Sequence, residues 1–303
     1  MTRVVVIGSA GFLGGALTRV LTAAGASTSG FTRQTPFVMG DGSPAMELRR
    51  ADAIVYLAGS VTPATAERDP SAVAVDLRLF DLFVTCLRHL DQQPTVILPS
   101  SGGTVYEPAA PPPYAESAPT GPVTAYGMAR LEMERALLGD TSHAGRVVVL
   151  RISNAYGPGQ RLGRGQGVIG HWVAAAARGE PLRVFGDPAA TRDYVFIEDV
   201  VDAIRLLVLG ASADVPTVLN IGSGVPTTLG ELADLVSSVV GRAEIEREPG
   251  RTFDRHDTWL DVSLAKKTIG WVAHVPLIEG LRRTWAHARR TAEATGPRSS
   301  SSA

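Results

Sequence analysis

The chain reads as an α/β protein built on a doubly wound parallel sheet, and three observations lead there. Val4-Val5-Val6-Ile7 are four consecutive β-branched residues, the composition of a strand buried on both faces. Gly8-Ser9-Ala10-Gly11-Phe12-Leu13-Gly14 follows at once, and Phe12, Leu13, Ala16, Leu17, Val20 and Leu21 then recur at helical spacing. Apolar strands keep alternating with helices as far as residue 152, the pattern of a doubly wound sheet.

The first unit is therefore strand, glycine turn, helix. Its spacing is Gly8-x-x-Gly11-x-x-Gly14, not G-x-G-x-x-G, and 32 glycines offer many chance matches. The context decides for a dinucleotide over an ordinary tight turn. Gly8 can turn tightly, Gly11 leaves room for a pyrophosphate, and Gly14 lets the helix lie close to the sheet.

Bulk properties exclude several classes. The 303 residues, 45% hydrophobic, suffice for one large or two modest domains. A net charge of −1 gives no electrostatic case for nucleic acid or an anionic membrane. Cys86 is the only cysteine, so no intrachain disulfide forms and a reducing, cytoplasmic compartment is expected. The six histidines are scattered, and no metal site is expected. Arg3 and the apolar residues after it mimic a signal peptide, but the interior glycines argue against one. No run approaches the ~18 apolar residues of a membrane span.

A second strand is expected at 26–31, followed by Thr32-Arg33. An NAD-preferring site wants a carboxylate at this strand end. A hydroxyl and a guanidinium stand there instead, and both suit a 2′-phosphate; NADP(H) is expected over NAD. Residues 33–50 are irregular, and Asp41 either reaches the adenine or closes a turn. The strand at 53–57 ends in Leu57-Ala58-Gly59-Ser60, small residues that leave space at the ligand edge. A long helix at about 71–90 carries the stripe Val75, Leu79, Leu82, Phe83, Leu87, which is core or a dimer face.

A strand at 95–98 runs into Pro99-Ser100-Ser101-Gly102-Gly103-Thr104-Val105-Tyr106, and a proline-rich loop spans 108–122. Ala125-Tyr126 opens a helix, and 146–152 is a parallel strand. Beyond Asn154 glycines crowd the sequence. Helices are expected at about 168–178, 199–209, 229–240 and 276–290, strands at 182–185 and 218–221. The serine-rich end, 291–303, is expected to be disordered.

Tyr126 and Arg130 lie one helical turn apart, so both side chains can face one cleft. Tyrosine is a poor acid at its free pKa of about 10, and a fixed cation beside it favours the phenolate. The hydroxyls after the strand at 95–98 can hold a carbonyl oxygen next to the phenol. This layout suits proton transfer coupled to hydride transfer. The bland alternative is a surface tyrosine and a solvated arginine.

Taken together, these segments resemble the extended short-chain dehydrogenase/reductases that act as nucleotide-sugar epimerases, dehydratases and reductases. The matching stretches cover about 2–290: Gly8-x-x-Gly11-x-x-Gly14, Tyr56-Leu57-Ala58, the 100–106 segment, Tyr126-x-x-x-Arg130, Leu150 to Gly159, and Arg192-Asp193-Tyr194 to Val200. The resemblance implies a Rossmann domain at 1–154 with returns near 193–221, and a smaller C-terminal α/β domain at 155–192 and 222–290 that binds a nucleoside-diphosphate sugar. It implies a homodimer through the helices near 71–90 and 126–138.

Three departures from the family pattern stand out. Arg130 replaces the lysine of Tyr-x-x-x-Lys; arginine keeps the charge but cannot deprotonate. Gly102 stands where the catalytic serine or threonine is usual, with Thr104 the first substitute and Ser101 the second. Asp76 occupies a position that is often asparagine. The resemblance implies Ser100 at the cofactor and, for the substrate, contacts at Asn154, the Gly167-Val168 turn, and Val184-Phe185, with Arg192 and Arg251 as diphosphate clamps. The implied reaction is NADPH-dependent reduction of a keto sugar nucleotide, with a dTDP-4-keto-6-deoxyhexose of antibiotic-sugar pathways as the specific expectation. Tyr126 would protonate the new alkoxide. The alternatives are an NAD-retaining 4-epimerase and a nucleotide-binding regulatory protein with impaired catalysis.

Overall fold

Six parallel strands form the centre of the computed structural model, which describes residues 1–140, 145–160, 167–210, 215–250 and 257–295. The elements run β1 (Arg3–Ile7), α1 (Phe12–Ala23), β2 (Ser27–Phe31), α2 (Met46–Arg49), β3 (Ala53–Tyr56), α3 (Pro63–Arg68), α4 (Pro70–Arg88), β4 (Thr95–Ser101), α5 (Ala125–Leu138) and β5 (Val147–Ile152). They continue with β6 (Asn154–Tyr156), α6 (Val168–Ala177), β7 (Leu182–Phe185), β8 (Thr191–Arg192), β9 (Tyr194–Phe196), α7 (Ile197–Leu209), β10 (Val218–Ile221), β11 (Thr227–Thr228), α8 (Leu229–Val240), β12 (Ile245–Glu248), α9 (Ser263–Ile269) and α10 (Leu277–Thr295).

The strand order is β2-β1-β3-β4-β5-β10. Strand order reverses at β1, whose neighbours are β2 on one side and β3 on the other. The crevice beyond the carboxyl ends of β1 and β3 is therefore the topological switch point, where such sheets bind ligands. Side chains alternate across the sheet. Val4, Val6, Val55 and Leu150 join one core, and Val5, Ile7, Ile54 and Leu98 the other. Helices α1 and α7 pack together, as do α4 and α5, so each apolar face is covered and the strands read as continuous hydrophobic runs.

The first core does not stop at the sheet. It continues through Trp172, Leu182, Leu232 and Trp271 of the C-terminal half. Strand β10 returns to the central sheet beside β5, with Val218 opposite Val149. The remaining strands form two-stranded ribbons: β6 with β9, β7 with β12, β8 with β11.

Local chemistry sets the helix starts. Asp69 accepts the Ser71 and Ala72 N–H groups ahead of Pro70 in α4, and Thr228 forms a capping box with Glu231 in α8. Two boundaries differ from the sequence expectation. Strand β4 extends through Pro99, Ser100 and Ser101, paired with Leu150, Arg151 and Ile152 of its neighbour. Helix α10 continues to Thr295, so residues 291–295, expected in a disordered tail, are helical. The run Arg289-Arg290-Thr291-Ala292-Glu293-Ala294 contains no breaker before Gly296-Pro297. Residues 296–303 lie outside the described residues.

Candidate active site

The glycine turn meets the steric demands of its position. Gly8 has φ +92°, and a Cβ there would lie 2.6 Å from the Leu57 carbonyl carbon and 2.7 Å from the Ala58 nitrogen. A Cβ on Gly14 would run into the Gly8 carbonyl oxygen. Gly11 begins α1 with extended backbone and no side-chain cap. Phe12 and Leu13, in the first turn, are half-buried against the core. Bare backbone, a close helix and first-turn amides bonded by no side chain fit a dinucleotide pyrophosphate.

The Gly8 N–H donates to the Phe31 carbonyl at 2.9 Å, tying the turn to the end of β2. Thr32 follows directly, its hydroxyl bonded within its own turn to Gln34 and Thr35 at 3.1 and 3.0 Å. Arg33 is exposed. Asp41 closes a turn. It accepts the Ser43 N–H at 2.9 Å and the Ser43 hydroxyl at 2.7 Å, and those bonds hold its carboxyl below the ordinary range.

Helix α5 begins at a doubly tied N-terminus. Thr124 accepts the Gly127 N–H at 3.1 Å, and Glu67 of α3 accepts the Ala125 N–H at 2.9 Å. A Cβ on Gly127 would stand 2.6 Å from the Thr104 carbonyl oxygen. That contact lays the first turn of α5, and Tyr126 with it, against the turn that carries Thr104. The Thr104 hydroxyl is buried and has no hydrogen-bond partner among the described residues. A buried hydroxyl without a protein partner is uncommon, and it leaves a donor free for a ligand atom.

Arg130 places its guanidinium carbon 5.1 Å from the Tyr126 ring centroid. Burial works against its charge, but Tyr126 and then Asp76 and Tyr56 favour it, so its pKa lies above the ordinary arginine value. Its Nη2 would lie 3.2 Å from a Cβ on Gly59. Asp76, buried in α4, accepts the Ser60 N–H at 2.7 Å, the Ser60 hydroxyl at 2.8 Å and the Val61 N–H at 3.2 Å. The Leu57-to-Ser60 segment, α4 and α5 thus meet at one corner beside the Gly8 turn.

Ser100, expected at the cofactor, points elsewhere. Its hydroxyl donates to Glu134, which is buried and paired with Arg151 at 2.7 Å. Arg151 also stacks 4.9 Å from the Tyr106 ring centroid, and the Tyr106 hydroxyl donates to Asn220 at 2.6 Å. The sequence reading passed over Glu134 and Arg151; the available signal was a lone arginine in an otherwise apolar buried strand, since such charges are almost never buried unpaired. Ser101 closes the turn, its carbonyl accepting Thr104 and Val105 N–H groups, each at 3.2 Å. Gly102 is walled in: a Cβ would meet Leu260 Cδ1 at 2.7 Å and the Arg151 carbonyl oxygen at 3.0 Å.

On the C-terminal side, Asn154 donates its side-chain amide to the Asp193 carbonyl at 2.9 Å. The Asp193 carboxylate clasps Ser153, Ser223, Gly224 and the Leu260 N–H. Burial pushes its carboxyl up, against the pull of those bonds. Gly167, at φ +68°, precedes α6 with no side-chain cap, and Val168 packs half-buried on the core. Val184 is 2% exposed and belongs to the core, so its side chain is not a ligand contact; Phe185 next to it is half-buried. The Arg192 Nη1 donates to the Thr191 carbonyl at 2.8 Å. Arg251 lies outside the described residues. Among the described residues no cluster of His, Cys, Asp or Glu is arranged to hold a metal, and no helix is long and apolar enough to cross a membrane.

A dinucleotide turn at a switch point, with a tyrosine–arginine pair and a free hydroxyl beside it, defines an oxidoreductase-type α/β nucleotide-binding protein. The chain belongs to the NAD dependent epimerase/dehydratase family, whose model matches residues 4–222. It is an extended short-chain dehydrogenase/reductase, an enzyme of the NAD(P)-dependent nucleotide-sugar group.

Three relatives frame the family membership. A UDP-glucose 4-epimerase of Mycolicibacterium smegmatis is 31% identical over 93% of this chain and 97% of its own length. A dTDP-6-deoxy-L-talose 4-dehydrogenase (NAD(P)(+)) of Kitasatospora kifunensis is 31% identical over 97% and 96%. Among solved structures, the UDP-glucose 4-epimerase of Thermotoga maritima with UDP-glucose superposes with a TM-score of 0.84 at 26% identity, covering 95% of this chain and 99% of that one.

Proposed function

We propose that this protein reduces a keto group on a nucleoside-diphosphate sugar with NADPH, a dTDP-4-keto-6-deoxyhexose being the favoured substrate. The observation that carries the chemistry is the buried, unpartnered Thr104 hydroxyl held against the Tyr126 turn. Thr104 donates to the substrate oxygen and fixes it beside the phenol. Tyr126 gives that oxygen its proton as negative charge develops there. Arg130 stays positive over the Tyr126 ring and favours the phenolate left behind. The Gly8-to-Gly14 turn and the Leu57-to-Ser60 segment would hold the dinucleotide, which would supply the hydride when bound.

The cofactor choice rests on Thr32-Arg33. No carboxylate stands at the end of β2, and Arg33 is exposed there. The dTDP preference takes support from the Kitasatospora relative and from a dTDP-4-dehydro-6-deoxyglucose reductase of Escherichia coli, 30% identical over 61% of this chain and 58% of its own. On the substrate side we assign Asn154, the Gly167-Val168 turn, Phe185, Arg192 and Arg251, and take 155–192 with 222–290 as the part that holds the sugar nucleotide. We also propose a cytoplasmic homodimer through α4 and α5, where Val75, Leu82, Met128 and Leu138 expose large apolar side chains.

The test follows loss of reduced-nicotinamide absorbance with dTDP-4-keto-6-deoxyglucose and NADPH or NADH. Wild type is expected to consume NADPH, Tyr126→Phe to lose about 10²–10⁴ in kcat, and Arg33→Ala to lose the preference for NADPH. An epimerase is the second reading, favoured by the Mycolicibacterium and Thermotoga matches. It would co-purify with NAD and interconvert sugar epimers without net consumption, and that result would replace the reductase.

A further inference from the structure

The fold brings Asp76 and Arg130 to one place. A Cβ on Gly59 would lie 3.2 Å from Arg130 Nη2 and 3.6 Å from Asp76 Oδ2. The two residues come from different helices, α4 and α5, and no direct ion pair within 4.0 Å joins them among the described residues.

The hydrogen bonds of Asp76 do not explain its charge. The Ser60 and Val61 N–H groups both donate to Oδ2, and the Ser60 hydroxyl donates to Oδ1. An asparagine with its carbonyl in the Oδ2 place would accept the same two N–H groups. Its amide, in the Oδ1 place, would donate to the Ser60 hydroxyl, which can turn to accept. A neutral amide thus satisfies every partner of this side chain, and the carboxylate needs another reason.

Arg130 supplies it. A guanidinium cannot shed its proton as a lysine can, and a fixed cation drawn out of water needs a counter-charge. The aromatic groups around it are Tyr126 and Tyr56, and Met133 offers only a sulfur at 4.0 Å. Asp76 is the carboxylate that faces it, and after Tyr126 its field opposes the loss of charge that burial would cause.

We propose that Asp76 is the counter-charge that positions the Arg130 guanidinium beside Gly59 and over the Tyr126 ring, so that the two residues work as a matched pair. Asp76 is a positioning residue, acting through Arg130. The proposal rests on the reading of Tyr126 and Arg130 as the proton-transfer pair, and one arm of its test does not.

That arm is a melting cycle on the ligand-free protein with wild type, Asp76→Asn, Arg130→Met and the double variant. Asp76→Asn is nearly isosteric and keeps its hydrogen bonds. It is expected to lower the midpoint by about 4 °C when Arg130 is present and by about 1 °C or less in the Arg130→Met background. Equal shifts in both backgrounds would overturn the pairing, whatever the protein catalyses. The second arm measures NADPH turnover. Asp76→Asn and Arg130→Lys are each expected to lower kcat about tenfold with little change in KM for the sugar, and Asp76→Asn/Arg130→Lys to recover to within about threefold of wild type. Losses that multiply in the double variant would overturn the proposal. A wild type without turnover would remove the reductase reading, and the melting cycle alone would then decide the pair.

Discussion

The Leu260 side chain occupies the place beside Gly102 that any larger residue at that position would need, with Cδ1 at 2.7 Å from an ideal Cβ. A hydroxyl-bearing residue at this position therefore has to displace Leu260. Gly102→Ser is expected to lower stability by about 1–3 kcal/mol through overpacking, with no gain in turnover. Urea unfolding checks it. Adding Leu260→Ala should cost less than the two single losses combined, because each relieves the other.

Thr104 should show the opposite signature. Its hydroxyl is buried without a partner among the described residues, and such a group costs the fold about 1–3 kcal/mol. Thr104→Val is expected to leave the protein as stable as wild type or more so, while kcat falls by about 10²–10³. Thr104→Ser should keep most of the activity. A Thr104→Val variant with full turnover would move the oxygen-binding role to Ser101.

Glu134 belongs to the frame and not to the chemistry. It pairs with Arg151 at side-chain exposures of 2% and 7%, and removing one member leaves a buried charge alone. Glu134→Ala is expected to destabilise by about 3–5 kcal/mol. The exposed Arg178–Glu180 pair offers the contrast: Glu180→Ala should leave the unfolding midpoint close to that of wild type. Chemical denaturation of both variants makes the comparison.

The Arg3–Asp52 pair carries a pH dependence with a definite sign. Asp52 accepts the Arg3 side chain at 2.7 and 3.2 Å and the Arg3 N–H at 2.7 Å. Those bonds, side chain first, lower its pKa below the ordinary 3.8. Its contribution is therefore present above pH 3.8 and is lost as pH falls through the lowered folded-state value. Both side chains are more than a third exposed, so solvent screening leaves about 0.5 kcal/mol. Asp52→Asn should melt slightly below wild type at neutral pH, and the gap should close in acid.

Much of the fold was legible because its signals are local. The β-branched run at Val4 to Ile7, the glycine turn after it and the helical spacing of Ala16, Leu17 and Leu21 lie in one contiguous stretch, and the structure has strand, turn and helix there. The boundaries of β7, β10 and α8 match the residue patterns, and α8 carries its capping box in plain sight at Thr228 and Glu231. Asp41 shows the limit of a local signal, because an Asx turn and an adenine contact use the same residue type; the Ser43 bonds show the turn.

By itself the sequence determined the doubly wound sheet, the nucleotide turn and the one-turn spacing of Tyr126 and Arg130, because periodicity and turn chemistry act between near neighbours. Only the tertiary structure decided that Ser100 serves Glu134, that Val184 is core, that Leu260 closes Gly102, and that Asp76 meets Arg130 at Gly59. Each of those outcomes joins residues far apart in the chain. Packing across elements sets them, and no local pattern encodes which distant side chain fills a given space.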